Sequence, residues 1–300
     1  MKLCLTGANS SVGRTLLQQL AGREDITVLA LSRSPQANAL PQAANVTAMP
    51  VAYEDHDALT AAFAGAQAVV HLAGVLFASK GASYQSANVD STAAVVRAAQ
   101  EAGVPRLVFV SVLGADSASR NPFYRSKGQA ENCVMTAALE ATVLRTPLLL
   151  GPLCAGGQAL LREARSGTAK LLGGGQHRVR PLDVDDLCAA LVACCTAPLA
   201  GARVLELCGP QSLCYRDLVL RMAQTLGREP PRIGSVPLWL AKTFAALGHT
   251  LKGGGLSPAI IDVITSSETV EHNAATPLGL ALTPLAQTLA KLAGKESPHG

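Results

Sequence analysis

The stretch TGANSSVG, residues 6–13, decides the reading of this 300-residue chain. It ends the short apolar run KLCLT, residues 2–6, and opens VGRTLLQQLA, residues 12–21, in which Val12, Leu16, Leu17 and Leu20 fall on one face at helical spacing. The pattern is a strand, a tight turn and an amphipathic helix. Gly7 and Gly13 stand where such a junction needs a tight turn and a close approach of helix to strand, and N–H groups at the helix start would face a pyrophosphate. Ser10 takes the middle position of GxxGxxG, so the glycine fingerprint is incomplete. The small hydroxyls of Ser10 and Ser11 still leave room for a phosphate and offer it donors. Thr6, Asn9 and Val12 complete the expected phosphate turn. A purely structural strand-to-helix junction is the alternative reading.

Outward from this turn, strand and helix signals alternate. Strands are expected at 26–31, 46–51, 68–73, 107–111 and 140–145, with helices at 57–64, at 84–102 and from about Phe123 onward. Gly65 and Gly103 close the helices before them, and Pro147 stops the last of these strands. Apolar strand runs separated by helices predict an α/β fold, a Rossmann-type doubly wound parallel sheet, over residues 1–150. Beyond residue 150, glycine clusters at 156–157, 173–175 and 253–255 separate shorter elements, including helices near 184–195 and 215–227 and a strand near 203–208. Residues 151–293 are expected to form a smaller, partly interwoven C-terminal substrate-side region with segments returning to the core, and 294–300 a flexible tail.

Composition narrows the function classes. Hydrophobic residues make up 49% of the chain and charged residues 15%, which excludes a disordered polymer. A net charge of +4 without a basic run or aromatic interleaving argues against nucleic acid, whereas a small anionic ligand suits it. The eight cysteines are dispersed and form no CxxC pair, so reduced, mostly buried thiols and a cytoplasmic location are expected. No window has the length of a membrane span. The six histidines show no metal-ligand spacing, and His71, inside an apolar strand, reads as a positioned core residue, so no metal is expected.

At the end of the second strand, where a site specific for NAD would offer an acid to the adenosine ribose, the chain has Ser32 and Arg33. A guanidinium there would pair with a 2′-phosphate, which favours NADP(H) over NAD(H). Together with VVHLAG at 69–74, YQSANVDSTAAVVRAA at 84–99, RLVFVSVLGAD at 106–116, FYRSKGQAE at 123–131, LRTPLLLGP at 144–152 and RPLDVDDL at 180–187, these features resemble the extended and atypical short-chain dehydrogenase/reductase superfamily. The resemblance is to its epimerase/dehydratase-like members and to the group around the accessory NAD(P)-binding subunit of respiratory complex I. It implies that Leu72, Ala73 and Gly74 border the cofactor and that Pro147 shapes the nicotinamide side of the cleft. Asn88 has two readings, a place behind the site or a helix side chain bonded to a neighbouring loop.

Members that transfer hydride use a Tyr as acid/base, a Lys four residues later and an upstream Ser or Thr. Ser111 and Lys127 match the flanking roles, but the Tyr position is Phe123, which cannot exchange a proton. Tyr124 is adjacent, yet one helical step rotates a side chain by about 100°. Ser111, Tyr124 and Lys127 are therefore the candidate catalytic set, with Tyr124 dependent on a distorted first turn or a late helix start. Two functions remain open: an NADP(H)-binding epimerase/dehydratase-like protein acting on a small or lipid-like substrate, and a catalytically inactive NADP(H)-binding structural or regulatory protein. Asp185 and Asp186 read as helix-start caps, and Arg178 and Arg180 as weak candidates for an acidic ligand. The segment VPLWLAKTFAALG, 236–248, suits packing on the domain, a lipid-like ligand, or a protein partner and peripheral membrane contact.

Overall fold

The computed structural model describes residues 1–33, 40–79, 81–196, 201–252 and 256–294. The glycine cluster at 253–255 and the tail from 295 lie outside them. The first half follows the expected alternation: β1 (Lys2–Thr6), α1 (Ser11–Leu20), β2 (Thr27–Ser32), β3 (Val46–Pro50), α2 (His56–Phe63), β4 (Ala68–His71), α3 (Ser91–Glu101), β5 (Arg106–Val112), α4 (Pro122–Met135) and β6 (Glu140–Thr146). The expected helix at 84–102 divides: Gln85–Asp90 winds as a π-helical turn before α3 begins. That wider turn carries Asn88, whose side chain is committed to bonds with Val75 and Ser126.

The second half contains β7 (Leu149–Leu150), α5 (Ala155–Arg165), β8 (Thr168–Leu172), β9 (Arg178–Val179), β10 (Leu182–Asp183), α6 (Val184–Thr196), β11 (Arg203–Glu206), β12 (Leu213–Cys214), α7 (Tyr215–Thr225), β13 (Arg232–Val236), α8 (Leu238–Lys252), α9 (Pro258–Ile264) and α10 (Leu285–Leu292). Two of these elements return to the first half. β11 adds beside β6, giving a seven-stranded sheet in the order β11-β6-β5-β4-β1-β2-β3, parallel at every pairing. α6 packs beside α1 on one sheet face.

Both sheet faces are covered, as apolar strand runs require. Leu3, Leu5, Val28 and Val70 point toward Leu16 and Leu17 of α1 and Leu187 and Leu191 of α6. Cys4, Val69, Leu107, Phe109 and Val143 point the other way, toward Leu59 and Phe63 of α2, Val95 of α3 and Val134 of α4. A third apolar cluster joins Leu160 of α5, Leu218 and Met222 of α7 and Leu289 of α10, so the smaller region has its own core. Between β1 and β4 the strand order reverses, opening a crevice beyond the carboxyl ends of the two strands.

Candidate functional site

The glycine turn occupies that crevice because its backbone must pass close to two neighbours. Gly7 lies at φ +72°, and a Cβ there would fall 2.7 Å from the Ala73 nitrogen. A Cβ at Gly13 would fall 2.6 Å from the Ala8 carbonyl oxygen. Both glycines therefore let α1 and the end of β4 sit directly against the turn. Ser10 caps α1, its Oγ accepting the Gly13 N–H at 3.0 Å, and keeps its own proton to donate. The N–H groups of Ser11 and Val12 have no acceptor among the described residues. Two free donors at the start of a ten-residue helix form an anion site of the kind a pyrophosphate needs.

At the outer end of the crevice, Arg33 follows β2 with its Cζ 5.8 Å from the centre of the Tyr53 ring. Tyr53, not singled out in the sequence, is 3% exposed, and its hydroxyl oxygen accepts the Gly7 N–H at 2.9 Å. Burial pushes the phenol pKa up. Beneath the turn, His71 is fully buried and bonded at both nitrogens. The Thr92 hydroxyl donates to the Asn88 carbonyl at 2.6 Å, so it accepts from His71 Nε2 at 3.0 Å, and Nδ1 accepts from Thr6 Oγ1 at 2.7 Å. Burial pushes the His71 pKa down to about 3, leaving a neutral, positioned core histidine. No cluster of potential metal ligands occurs among the described residues.

Asn88 resolves in favour of its structural reading. Its Oδ1 accepts the Val75 N–H at 2.8 Å, and its Nδ2 donates to the Val75 carbonyl and, at 2.9 Å, to Ser126 Oγ. It thereby holds the loop after β4, which carries Leu72, Ala73 and Gly74, against α4.

The inner end of the crevice is set by α4. Asn121 Oδ1 caps this helix by accepting the Phe123 N–H at 3.0 Å, and Pro122 opens it. The first turn is regular, so Phe123 and Lys127, one turn apart, share the buried face, at 4% and 6% exposure. Lys127 Nζ donates to the Val110 carbonyl at 2.9 Å and lies 4.2 Å from the centre of the Phe109 ring. Burial pushes its pKa down to about 8, against the opposing pull of Glu131. Ser111 Oγ is buried with no hydrogen-bond partner, a hydroxyl left for a ligand to satisfy.

Tyr124 turns aside. Its ring packs on Gly114, where a Cβ would be 3.3 Å from Cε1, and burial pushes its phenol pKa up. Tyr84 instead lies next to Phe123, ring centres 5.8 Å apart, with its hydroxyl donating to the Leu76 carbonyl at 2.9 Å.

Beyond β6, Glu268 ties the segment after Pro147 in place. Its two carboxylate oxygens accept the N–H groups of Leu148 and Arg180, both at 2.6 Å. It had no sequence signal, because it lies in an irregular stretch. Arg180 Nε donates to the Gly209 carbonyl at 2.8 Å and Arg178 bonds with Ser212, so both guanidiniums fasten loops. The capping expected of Asp185 and Asp186 belongs to Asp183, the residue before α6, whose Oδ1 accepts the Asp185 N–H at 2.9 Å. Asp185 pairs with Lys291, and Asp186 accepts two bonds from Thr283. In α8, Trp239, Phe244 and Leu247 are exposed. None of the described helices is long and apolar enough to cross a membrane.

Residues 7–192 match the family model described as NAD(P)H-binding. Subunit 9 of the NADH dehydrogenase [ubiquinone] 1 alpha subcomplex, a mitochondrial protein of Arabidopsis thaliana, is 29% identical over 251 residues, 80% of this chain and 61% of that protein. The ceramide reductase of Caulobacter vibrioides is 27% identical over 229 residues, 76% of this chain and 71% of the reductase. In fold, the chain superposes on the UDP-glucuronic acid 4-epimerase of Bacillus cereus, solved with UDP-glucuronic acid and NAD, with a TM-score of 0.74, 16% identity and 98% coverage of both chains. With the reversed strand order, the free helix-start donors and a matching model over residues 7–192, the chain belongs to the NAD(P)H-binding family and has the Rossmann-type fold of epimerases and dehydratases.

Proposed function

We propose that this protein holds NADP(H) in the crevice as a structural or regulatory module and has lost ordinary proton-coupled turnover. The observation that carries the reading is the placement of Phe123 on the same buried helix face as Lys127, in the slot where a proton donor belongs. A helical step of about 100° separates Tyr124 from that slot.

The residues present suit the cofactor. Ser11 and Val12 N–H groups would receive the pyrophosphate, with Thr6, Asn9 and Ser10 around it. Ser32 and Arg33 would meet the adenosine ribose, and Arg33 supplies the cation for a 2′-phosphate. Leu72, Ala73 and Gly74 would border the ring system, Lys127 the nicotinamide ribose, and Ser111 and Pro147 the nicotinamide end. When bound, the cofactor supplies a hydride donor or acceptor. What this chain's residues retain is binding and orientation, because phenylalanine moves no proton. A structural role accords with the Arabidopsis relative, a subunit of a larger dehydrogenase.

The test is titration of nucleotide-free protein with NADPH and NADH, repeated with Arg33→Ala. The expected result is tighter NADPH binding that Arg33→Ala abolishes, with no consumption of NADPH across a panel of ketones. Equal affinities, or a preference that survives Arg33→Ala, would overturn the NADP(H) assignment.

A second reading, reduction or epimerisation of a lipid-like substrate, is favoured by the ceramide reductase relative and by the exposed Phe77 and Leu153. In it the proton comes from a group other than Phe123, and turnover that survives Tyr124→Phe unchanged would exclude the adjacent tyrosine as that group.

A further inference from the structure

We infer that Tyr53 is a specificity-positioning residue: its locked ring is the platform that holds Arg33 where a 2′-phosphate would be read. This rests on the NADP(H) reading above. Arg33 is an exposed residue just after the end of β2. A long, flexible cation in such a place loses rotamer freedom when it binds a phosphate, and a pre-formed contact reduces that loss.

Tyr53 supplies the contact. The guanidinium carbon stands 5.8 Å from its ring centre, within the range of a cation–ring attraction. Such a contact uses the ring's electron-rich face and leaves guanidinium N–H groups for phosphate oxygens. Among the described residues no carboxylate pairs with Arg33, so the ring holds the side chain without neutralising it.

The ring itself cannot swing away. It is 3% exposed, its hydroxyl accepts the Gly7 N–H, and it meets His71 edge-on at 6.3 Å and 68°. His71 is in turn fixed by Thr6 and Thr92. The same side chain therefore touches both ends of the phosphate reading. Its hydroxyl steadies the turn that would receive the pyrophosphate, common to both cofactors, and its face steadies the cation that would receive the 2′-phosphate, present in one.

Those two roles separate experimentally. Tyr53→Phe removes the hydroxyl and keeps the face, so NADPH and NADH should weaken by the same factor with their ratio unchanged. Tyr53→Met removes the face, so the ratio should fall by about 2–5-fold, the size of one partly exposed cation–ring contact. Should Tyr53→Met fail to fold, graded fluorination of a phenylalanine at position 53 withdraws electron density at constant shape, and the ratio should fall with each added fluorine. A ratio unchanged by Met, or by fluorination, would overturn the inference. Arg33→Ala serves as the control: if it removes the preference while position 53 does not matter, the NADP(H) reading stands without Tyr53, and if it leaves the preference intact, the reading itself falls.

Discussion

Lys127 holds its ammonium 4.2 Å from the centre of the Phe109 ring while donating to the Val110 carbonyl at 2.9 Å. One aromatic face and one carbonyl replace water around a cation buried in the crevice, which is why its pKa sits near 8, well below an ordinary lysine's. Between about pH 8 and about pH 10.5 the unfolded chain carries a proton here that the folded chain lacks, so this group makes stability rise with pH across that window. Cofactor binding should run the opposite way. The affinity for NADPH is expected to weaken as pH rises through about 8, because the charged donor is lost. Lys127→Met should bind NADPH about 10-fold more weakly and flatten the profile, checked by fluorescence titration across pH.

Placing a phenol at position 123 provides the most direct check on the proposed loss of turnover. Phe123→Tyr places a phenol one turn before Lys127 on the same buried face. NADPH-dependent ketone reduction should rise at least about 100-fold over wild type, with cofactor affinity little changed. If wild-type protein already reduces ketones at a comparable rate, the assignment of a lost proton donor is wrong.

The glycine turn should resist even the smallest side chain. Gly13→Ala sets a methyl 2.6 Å from the Ala8 carbonyl oxygen, forcing α1 away from β1. Destabilisation of about 1–3 kcal/mol in urea unfolding is expected, together with loss of cofactor binding. A variant of unchanged stability would contradict the close packing.

His71 predicts an acid limit. Its folded pKa of about 3 lies below the ordinary value of 6.5, so the unfolded chain binds a proton that the native site refuses. Stability from this group is complete above about pH 6.5 and is lost as pH falls toward 3, with a slope approaching about 1.4 kcal/mol per pH unit. The gap between urea midpoints at about pH 7 and about pH 4.5 should narrow in His71→Gln relative to wild type.

Arg145 of β6 pairs with Glu131 of α4, 2.7 Å apart with Glu131 only 6% exposed and Arg145 half-buried. Arg145→Leu should cost about 2–4 kcal/mol by leaving that carboxylate without its cation. Adding Glu131→Gln should recover part of the loss, read as a double-mutant cycle in thermal unfolding.

The central architecture was legible because it is written in local patterns. A run such as Leu107 to Ser111, apolar on both faces and flanked by helices, has one economical arrangement, and Gly7 and Gly13 mark where the chain must come close to itself. The interchange between Asp183 and Asp185 was not legible, since a single-residue shift in where α6 begins decides which carboxylate caps it. Glu268 was illegible for a different reason: its partners, Leu148 and Arg180, are distant in sequence and linked to it through backbone N–H groups that carry no residue identity.

By itself the sequence determined the doubly wound sheet, the glycine turn between β1 and α1 and the presence of Phe, not Tyr, at position 123, because periodicity, glycine spacing and the identity of a residue are local properties of the chain. Only the tertiary structure decided what surrounds them. It showed that the Tyr124 ring packs on Gly114, that Ser111 keeps a buried hydroxyl unpartnered, and that Tyr53 links Arg33 to Gly7. Those relationships depend on how strands far apart in sequence bring their ends together, and a buried hydrogen bond or a cation over a ring exists only once that three-dimensional neighbourhood is formed.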